Sequence, residues 1–110
     1  MAIARFKDLC LDAADPARLG PFYAAVLGRT WEADDEGEGV LRGPTPQHTI
    51  WINRVAEEKT VKHRVHLDVF ARDLADLTAL VATVLVPPHD GQPWTLIADP
   101  EGNEFCAFTR

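Results

Sequence analysis

The sequence repeats one short pattern, and this repeat constrains the fold more than any other feature. Residues 8–19 (DLCLDAADPARL) and residues 66–77 (HLDVFARDLADL) each contain a strand-like run followed by an Asp and a helix-forming segment. In both copies the Asp stands where a side-chain oxygen can cap the free amides of a helix start. The repeat predicts that one strand–helix unit occurs twice and that the two copies build a site between them.

The composition is that of one globular domain with a hydrophobic core. A chain of 110 residues with 46% hydrophobic residues can hide roughly 65% of its unfolded surface, which suffices for folding without disulfides. Its 2 cysteines do not make a disulfide framework, and we expect reduced thiols. No segment approaches the roughly 20 apolar residues that cross a bilayer, and the amino end lacks the apolar segment of a secretory signal. We therefore expect a cytoplasmic protein without a membrane partner.

The charge balance argues against nucleic acid as a partner. The formal net charge is −6, and the 11 Lys and Arg residues form no long run. Phosphate binding needs a basic face. The composition thus excludes nucleic acid and favours a neutral or cationic small ligand.

The first half of the chain is predicted to contain a strand, a helix and three further strands. Residues 6–13 alternate, with an apolar face of Leu9, Leu11 and Ala13 and a polar face of Asp8, Cys10 and Asp12. Asp15 caps the helix that follows, Pro16 suits its first turn, and Gly28 ends it in the left-handed conformation. Further strands are predicted over residues 30–33, 39–42 and 48–55.

The second half is predicted to repeat this order. Residues 62–70 predict a strand, and Asp73 caps a helix whose apolar residues continue to Leu85, because Pro87-Pro88 forbids further helix. Strands follow over residues 94–98 and 104–109, joined by a type I turn at residues 99–102 (DPEG). The linker of residues 56–60 is polar, and we expect it to be exposed.

Together these elements predict an α+β fold. One domain of residues 1–110 contains two modules, about 1–56 and about 57–110, and each module has a strand, a helix and about three strands.

Several short motifs resemble a known superfamily. Residues 11–28, with Asp15-Pro16, Phe22-Tyr23 and Leu27-Gly28, and residues 99–105 (DPEGNEF) resemble the vicinal oxygen chelate superfamily. That superfamily contains glyoxalase I, bleomycin-resistance proteins, fosfomycin-resistance proteins and extradiol dioxygenases. Residues 62–69 (KHRVHLDV) and 102–106 (GNEFC) resemble its glyoxalase-like branch. The resemblance covers essentially the whole chain, and it implies two βαβββ modules whose mixed sheets form an open, curved cup with the helices packed outside.

The resemblance also implies positions for a metal ion. Family enzymes commonly place one ligand on the first and last strand of each module, and by position these places fall on Asp8, near Asn53, on His66 and on Cys106. Only His66 has the usual residue type. Asp8, His66 and Cys106 are therefore the candidate ligands for one divalent ion such as zinc. The alternative is that no metal is bound, that Asp8 and His66 hydrogen-bond across neighbouring strands, and that Cys106 is a small buried apolar residue.

Strand alternation predicts a polar floor with aromatic walls for the cup. The candidate ligand-binding residues are Asp12, Trp51, Asn53, Arg64, Asp68, Phe70, Cys106 and Phe108. His66 and Asp8 are the candidate catalytic residues, because an imidazole among carboxylates has a perturbed protonation. A structural interpretation stays open for each: Asp12 and Asp68 pair with Arg64, the phenylalanines belong to the core, and the tryptophans pack in a core or a dimer.

Two classes of function agree with these residues. The first is a small-molecule-binding protein of the bleomycin-resistance type, which needs no metal and holds a ligand in an acidic, aromatic-lined cup. The second is an enzyme, either a metal-dependent lyase, isomerase or dioxygenase with an atypical metal site, or a metal-free acid–base catalyst that uses His66 and a carboxylate. A homodimer is expected in either case, because family members usually dimerise and an open cup leaves sheet edges for a partner to cover.

Overall fold

Each half of the chain forms one four-stranded mixed sheet with a helix between its first two strands. The structure is a computed structural model that describes residues 2–109. The chain divides into two units, of which the first ends at Glu58 and the second begins at Lys59. Both units have the order β, α, β, β, β, and neither sheet closes into a barrel. The predicted α+β class with two βαβββ modules is confirmed. Within residues 2–109, no helix has both the length and the apolar character needed to cross a membrane.

The first unit is built on a sheet with the strand order β1-β4-β3-β2. β1 is parallel to β4, whereas β4, β3 and β2 are antiparallel neighbours. A single 3₁₀ turn, Pro46–His48, precedes the last strand. The elements are β1 (Leu9–Ala13), α1 (Pro16–Leu27), β2 (Trp31–Ala33), β3 (Gly39–Leu41) and β4 (Ile50–Arg54).

The ends of α1 follow the sequence signals with one exception. Pro16 occupies the first turn, and Gly28 ends the helix with a φ of 65°. The prediction that the side chain of Asp15 caps α1 is wrong, because that side chain makes no capping hydrogen bond. Its backbone has a ψ of 83°, whereas Asp73, whose side chain does cap its helix, has an extended ψ of 127°. The backbone carbonyl of Asp15 instead accepts the amides of residues 18 and 19.

The core of the first unit lies between α1 and one face of its sheet. Leu19, Phe22 and Tyr23 of α1 are buried, and the sheet contributes Leu41 and Ile52, both fully buried. A second contact depends on a residue without a side chain: a Cβ atom on Gly20 would overlap the ring of Trp31. Trp31 is thus a packing residue of the helix–sheet interface.

The second unit is built on a sheet with the strand order β5-β8-β7-β6. β5 is parallel to β8, and β8, β7 and β6 are antiparallel neighbours, so the arrangement repeats that of the first unit. The elements are β5 (Asp68–Ala71), α2 (Leu74–Thr78), β6 (Thr83–Val86), β7 (Thr95–Ala98) and β8 (Glu104–Thr109).

The helix α2 is much shorter than the sequence predicts. Asp73 caps it as expected, with its Oδ1 accepting the amide of Ala75 at 3.0 Å, but the helix ends at Thr78. Val81 then adopts a φ of 72°, which is a rare conformation for a β-branched residue. The segment predicted to continue the helix to Leu85 becomes β6, where β-branched residues pair with β7. Sheet pairing therefore overrides the helical spacing of the apolar residues.

Two strands also begin three or more residues later than predicted. β1 begins at Leu9 rather than at residue 6, and β5 begins at Asp68 rather than at residue 62. Residues 59–67 form neither helix nor strand. The pairing of β5 with β8 begins at Asp68 and Cys106, and β5 therefore begins at Asp68.

The predicted turn before the last strand is confirmed. The amide of Gly102 donates to the carbonyl oxygen of Asp99 at 2.9 Å, and Gly102 has a φ of 86°. The buried side chain of Asp99 accepts hydrogen bonds from the amides of Glu101 and Asn103 and from the side-chain amide of Asn103. This turn fixes how β7 reverses into β8.

Candidate functional site

One face of the first sheet carries the polar residues that the alternation of β1 predicts. Leu9, Leu11 and Ala13 are the more buried residues of β1, and Ile50 and Ile52 are buried on β4. The residues between them lie on the opposite side, which we call the open face of unit one: Asp8, Cys10, Asp12, Trp51 and Asn53.

Asp8 and Trp51 form a hydrogen-bonded pair on this face. The indole Nε1–H of Trp51 donates to Oδ2 of Asp8 at 3.0 Å, and the ammonium of Lys7 donates to the same oxygen at 2.7 Å. The hydrogen bond from Lys7, aided by that from Trp51, holds the pKa of Asp8 below its ordinary value although burial opposes the shift. Asp8 is therefore an ionised carboxylate that orients an indole ring.

Cys10 occupies the middle of the open face of unit one. The side-chain amide of Asn53 donates to Sγ of Cys10 at 3.1 Å, and the thiol lies 3.8 Å from Oδ1 of Asp12. Burial, followed by the charge of Asp12, raises the pKa of the Cys10 thiol. A protonated thiol among carboxylates is a poor nucleophile.

The metal positions of the first module hold residues that do not fit a metal. The repeat equates Asp8 with His66 and Cys10 with Asp68. In the strand ladders, Cys10 is paired with Trp51 and Asp68 is paired with Cys106. Trp51 therefore takes the position in the first module that Cys106 has in the second. The residue expected at that position was Asn53, two residues later. An indole supplies no lone pair to a metal. At its two metal positions the first module therefore offers only Asp8, whose Oδ2 already accepts two hydrogen bonds.

The second sheet has a comparable face, which brings together five of the predicted residues. We call it the open face of unit two, and it consists of His66, Asp68, Phe70, Cys106 and Phe108. Asp68 and Phe70 are exposed on β5, and their ladder partners on β8 are Cys106 and Phe108.

Three of these side chains form a cluster of possible metal donors. Nε2 of His66 lies 3.3 Å from Oδ1 of Asp68. One ligand atom each from His66, Asp68 and Cys106 lie within 4.8 Å of one another. Asp68 thus pairs with His66, and not with Arg64 as the structural interpretation had it. A nitrogen, an oxygen and a sulfur donor are a combination that zinc accepts.

The protonation of Cys106 is set by its surroundings. Burial, followed by the charge of Asp68, raises the pKa of the Cys106 thiol, and Lys62 opposes the effect. At neutral pH the residue is therefore a thiol and acts as a weak donor towards Asp68. A metal ion would have to displace this proton.

An aromatic group adjoins the cluster on the same face. The rings of Phe70 and Phe108 meet edge to face with centroids 6.4 Å apart, and the rings of Trp94 and Phe108 have centroids 5.6 Å apart. Phe108 thus contacts both of the other rings, and Phe70 is 69% exposed, which is unusual for a large apolar side chain. Trp94 is absent from the predicted site. Its position two residues before Leu96, on the same side of the segment that leads into β7, is the signal that could have identified it.

The sequence also missed an ion pair at the start of the second unit. Lys59 belongs to the linker that was predicted to be exposed, but its ammonium donates to Oε1 of Glu104 at 2.8 Å, and its side chain is 18% exposed. The prediction holds for residues 56–58 and 60, which are exposed, and fails at Lys59, because a carboxylate 45 positions away along the chain accepts a hydrogen bond from its ammonium. Arg64, in contrast, lies in the same irregular segment and is exposed.

The two candidate catalytic residues lie in different units. Asp8 belongs to the open face of unit one and His66 to the open face of unit two. Their convergence in one pocket stays a prediction.

Comparison with known proteins gives one family and many structures. The family model of the glyoxalase-like domain matches residues 8–108. No curated protein matches the chain. Solved structures match this chain over nearly its whole length.

A glyoxalase/bleomycin resistance protein/dioxygenase from Nocardioides superposes with a TM-score of 0.73 at 20% identity, covering 99% of this chain and 85% of that one. A member of the same superfamily from Sphaerobacter thermophilus gives 0.66 at 20% identity and 98% coverage of both chains. A family enzyme from Burkholderia phytofirmans gives 0.70 at 18% identity, with 96% and 98% coverage. At these identities the likeness establishes the fold.

Proposed function

This chain belongs to the glyoxalase-like domain family, and from that premise we propose that it binds a small organic cation with a planar aromatic ring, without a metal. Binding takes place on the open faces of the two units. The proposal combines the acidic composition of the chain with the exposed aromatic side chains that stand beside carboxylates on both faces.

The observation that carries the proposal is the aromatic group of unit two. The ring of Phe108 contacts those of Phe70 and Trp94, and Phe70 leaves most of its ring exposed. Asp68, two residues before Phe70 on the same face, is also exposed. Aromatic rings attract cations through their negative faces, and a neighbouring carboxylate adds charge attraction. This combination suits a flat cation better than a neutral or anionic compound.

The open face of unit one offers the same pair of groups. Trp51 is 36% exposed, and its ring is oriented by Asp8 at 3.0 Å. Asp12 lies on the same face and is exposed. A net charge of −6 for the whole chain supports the attraction of a cation over a longer range.

A fluorescent planar cation tests the proposal. We expect proflavine, titrated into metal-free protein, to bind with a fluorescence change, and the anionic 9-anthracenecarboxylate not to bind. Replacement of Phe70 by Ala or of Asp68 by Asn should weaken proflavine binding about tenfold. Val81→Ala and Asp35→Asn are the controls, because they remove an exposed apolar side chain between α2 and β6 and an exposed charge between β2 and β3, and neither residue belongs to an open face. Equal binding of both dyes, or equal losses in the control variants, would contradict the proposal.

A second candidate function rests on the donor cluster of unit two. His66, Asp68 and Cys106 supply ligand atoms within 4.8 Å of one another, and two of them stand at metal places of the family. In this alternative the chain is a metal-dependent lyase, isomerase or dioxygenase with an atypical site. A divalent ion there would supply Lewis acidity to a bound oxygen atom, and the chain's own residues would hold it.

Metal analysis separates the two candidates. The purified chain, saturated with zinc and then dialysed, retains about one ion per chain if the second candidate is right. His66→Ala and Cys106→Ser should then abolish retention, and His89→Ala, an exposed histidine elsewhere in the same unit, should not. Retention below about one ion in ten chains would eliminate the alternative.

We further propose that the chain forms a homodimer. The edge strand β6 exposes Val84 and Leu85, and exposed apolar edge strands are sites where a second copy can add. Light scattering of the purified chain should give twice the monomer mass of 12.2 kDa. A monomer mass at the highest attainable concentration would contradict this proposal.

A further inference from the structure

The buried ion pair between Lys59 and Glu104 is not explained by the proposed function. Lys59 is the first residue of the second unit, and Glu104 is the first residue of β8. Their side chains are 18% and 7% exposed, and the ammonium lies 2.8 Å from Oε1. The pair is therefore largely shielded from water, unlike the exposed pair of Arg42 and Glu32.

Glu104 keeps its charge in this buried position. Burial by itself raises the pKa of a carboxyl group, but hydrogen bonds from Lys59, from the amide of Glu104 itself and from the backbone of His63 outweigh it. The pKa of Glu104 consequently lies below its ordinary value.

These contacts attach an irregular segment to the last strand. Residues 59–66, which we call the junction segment, form neither helix nor strand. The ammonium of Lys59 donates to Oε1 of Glu104. Directly after the segment, the carbonyl of Leu67 accepts the amide of Cys106 at 2.9 Å. The junction segment is therefore tied to β8 at its start and just beyond its end.

The junction segment ends with the histidine of the proposed site. His66 directly precedes Leu67, and its Nε2 lies 3.3 Å from Oδ1 of Asp68. The parallel ladder begins at the pair Asp68–Cys106, two residues after His66. The segment that Lys59 attaches to Glu104 therefore leads directly into His66.

The other oxygen of Glu104 shows that the pair is a poor source of stability. Oε2 is buried and has no hydrogen-bond partner among the residues that the structure describes. A buried ion pair with an unsatisfied oxygen gains little over apolar side chains of similar volume, which often replace such pairs without loss of stability. Apolar side chains cannot supply a hydrogen bond of fixed direction, which here attaches the junction segment to β8.

We propose that Lys59 and Glu104 are positioning residues: they fasten the junction segment to β8 and thereby place His66 beside Asp68 and Cys106. The inference concerns the proposed site but does not depend on which ligand binds there. Neither residue contacts the reacting or binding groups in this role.

The double variant Lys59→Met, Glu104→Leu tests the proposal in the ligand-free chain. It removes both charges together and so leaves no unpaired buried charge. We expect a melting temperature equal to or above that of the unmodified chain. We also expect amide exchange in residues 60–66 that is faster by about tenfold or more and imidazole NMR signals of His66 shifted towards those of a free histidine. Lys59→Arg, which keeps the charge, should retain the native signals.

Arg72→Met is the matched control, because it removes an exposed cation of the same unit from outside the junction segment, and the rings of His48 and His89 serve as internal references. A folded double variant with unchanged exchange and unchanged His66 signals would overturn the proposal. So would an unfolded double variant, because the pair would then be required by the fold itself. All these measurements are made without ligand, so a failure of proflavine binding and a failure of the positioning role are distinguished.

Discussion

The indole N–H of Trp51 and the carboxylate of Asp8 are joined by a hydrogen bond of 3.0 Å. Lys7 donates to the same carboxylate oxygen, and its hydrogen bond is the largest cause that holds the pKa of Asp8 below its ordinary value of 3.8. Because the pKa is lower in the folded chain than in the unfolded one, the ionised carboxylate stabilises the fold above the unfolded pKa. This stabilisation is lost as the pH falls through the folded pKa.

We therefore expect the Trp51 indole to report the protonation of Asp8. In a ¹H–¹⁵N spectrum, one of the three indole signals should shift on acidification with a midpoint below pH 3.8. Asp8→Asn should abolish that shift and leave the signals of Trp31 and Trp94 in place. A midpoint at or above pH 3.8, or the same titration in Asp8→Asn, would show that the pair does not form as described.

A second prediction concerns the packing of α1 on the first sheet. An alanine in place of a helical glycine usually stabilises a helix, by up to about 1 kcal/mol. At Gly20 the added Cβ would overlap the Trp31 ring, so we expect Gly20→Ala to lower the free energy of unfolding by about 1–3 kcal/mol. Denaturant unfolding measures this change.

Two further variants make the Gly20 prediction specific. Ala25→Leu enlarges an exposed side chain of the same helix and should have little effect, and Trp31→Leu in the Gly20→Ala background should recover part of the lost stability. A stabilising Gly20→Ala would mean that the ring does not cover Gly20.

The third prediction concerns the reactivity of Cys106. Burial and the charge of Asp68 raise the pKa of this thiol, so iodoacetamide should alkylate it slowly at pH 8 in the native chain with Cys10 replaced by Ser. Asp68→Asn removes the charge and lowers the pKa of Cys106, so alkylation should become roughly threefold faster or more. Asp76→Asn, which removes an exposed charge on α2, should leave the rate unchanged. A rate that falls in Asp68→Asn would reverse the assigned sign.

The sequence by itself determined the two-module fold and the faces of its strands. The repeat of residues 8–19 and 66–77 identified the strand and the helix that open each unit, because strand alternation and turn residues are local properties of the chain. For the same reason the polar face of β1 and the turn from Asp99 to Gly102 were predicted correctly.

Local patterns failed where a distant partner decided the outcome. Residues 79–85 have helical spacing, but pairing with β7 converts their end into β6. The side chain of Lys59, in a polar linker, is largely shielded from water because its ammonium forms an ion pair with Glu104. The strand register, and not the sequence, put Trp51 rather than Asn53 in the position equivalent to Cys106.

The same distinction between local pattern and distant partners applies to the candidate site. Sequence alternation identified Asp8, His66, Asp68 and Cys106 as residues of the two open faces. The order of the strands along the chain could not predict which of these side chains contact one another. Only the tertiary structure showed that Asp8 is engaged by an indole, whereas His66, Asp68 and Cys106 form a cluster. The physical reason is that a side chain's face follows from the two-residue period of its own strand. Its neighbours across the sheet follow from a register that both strands fix together.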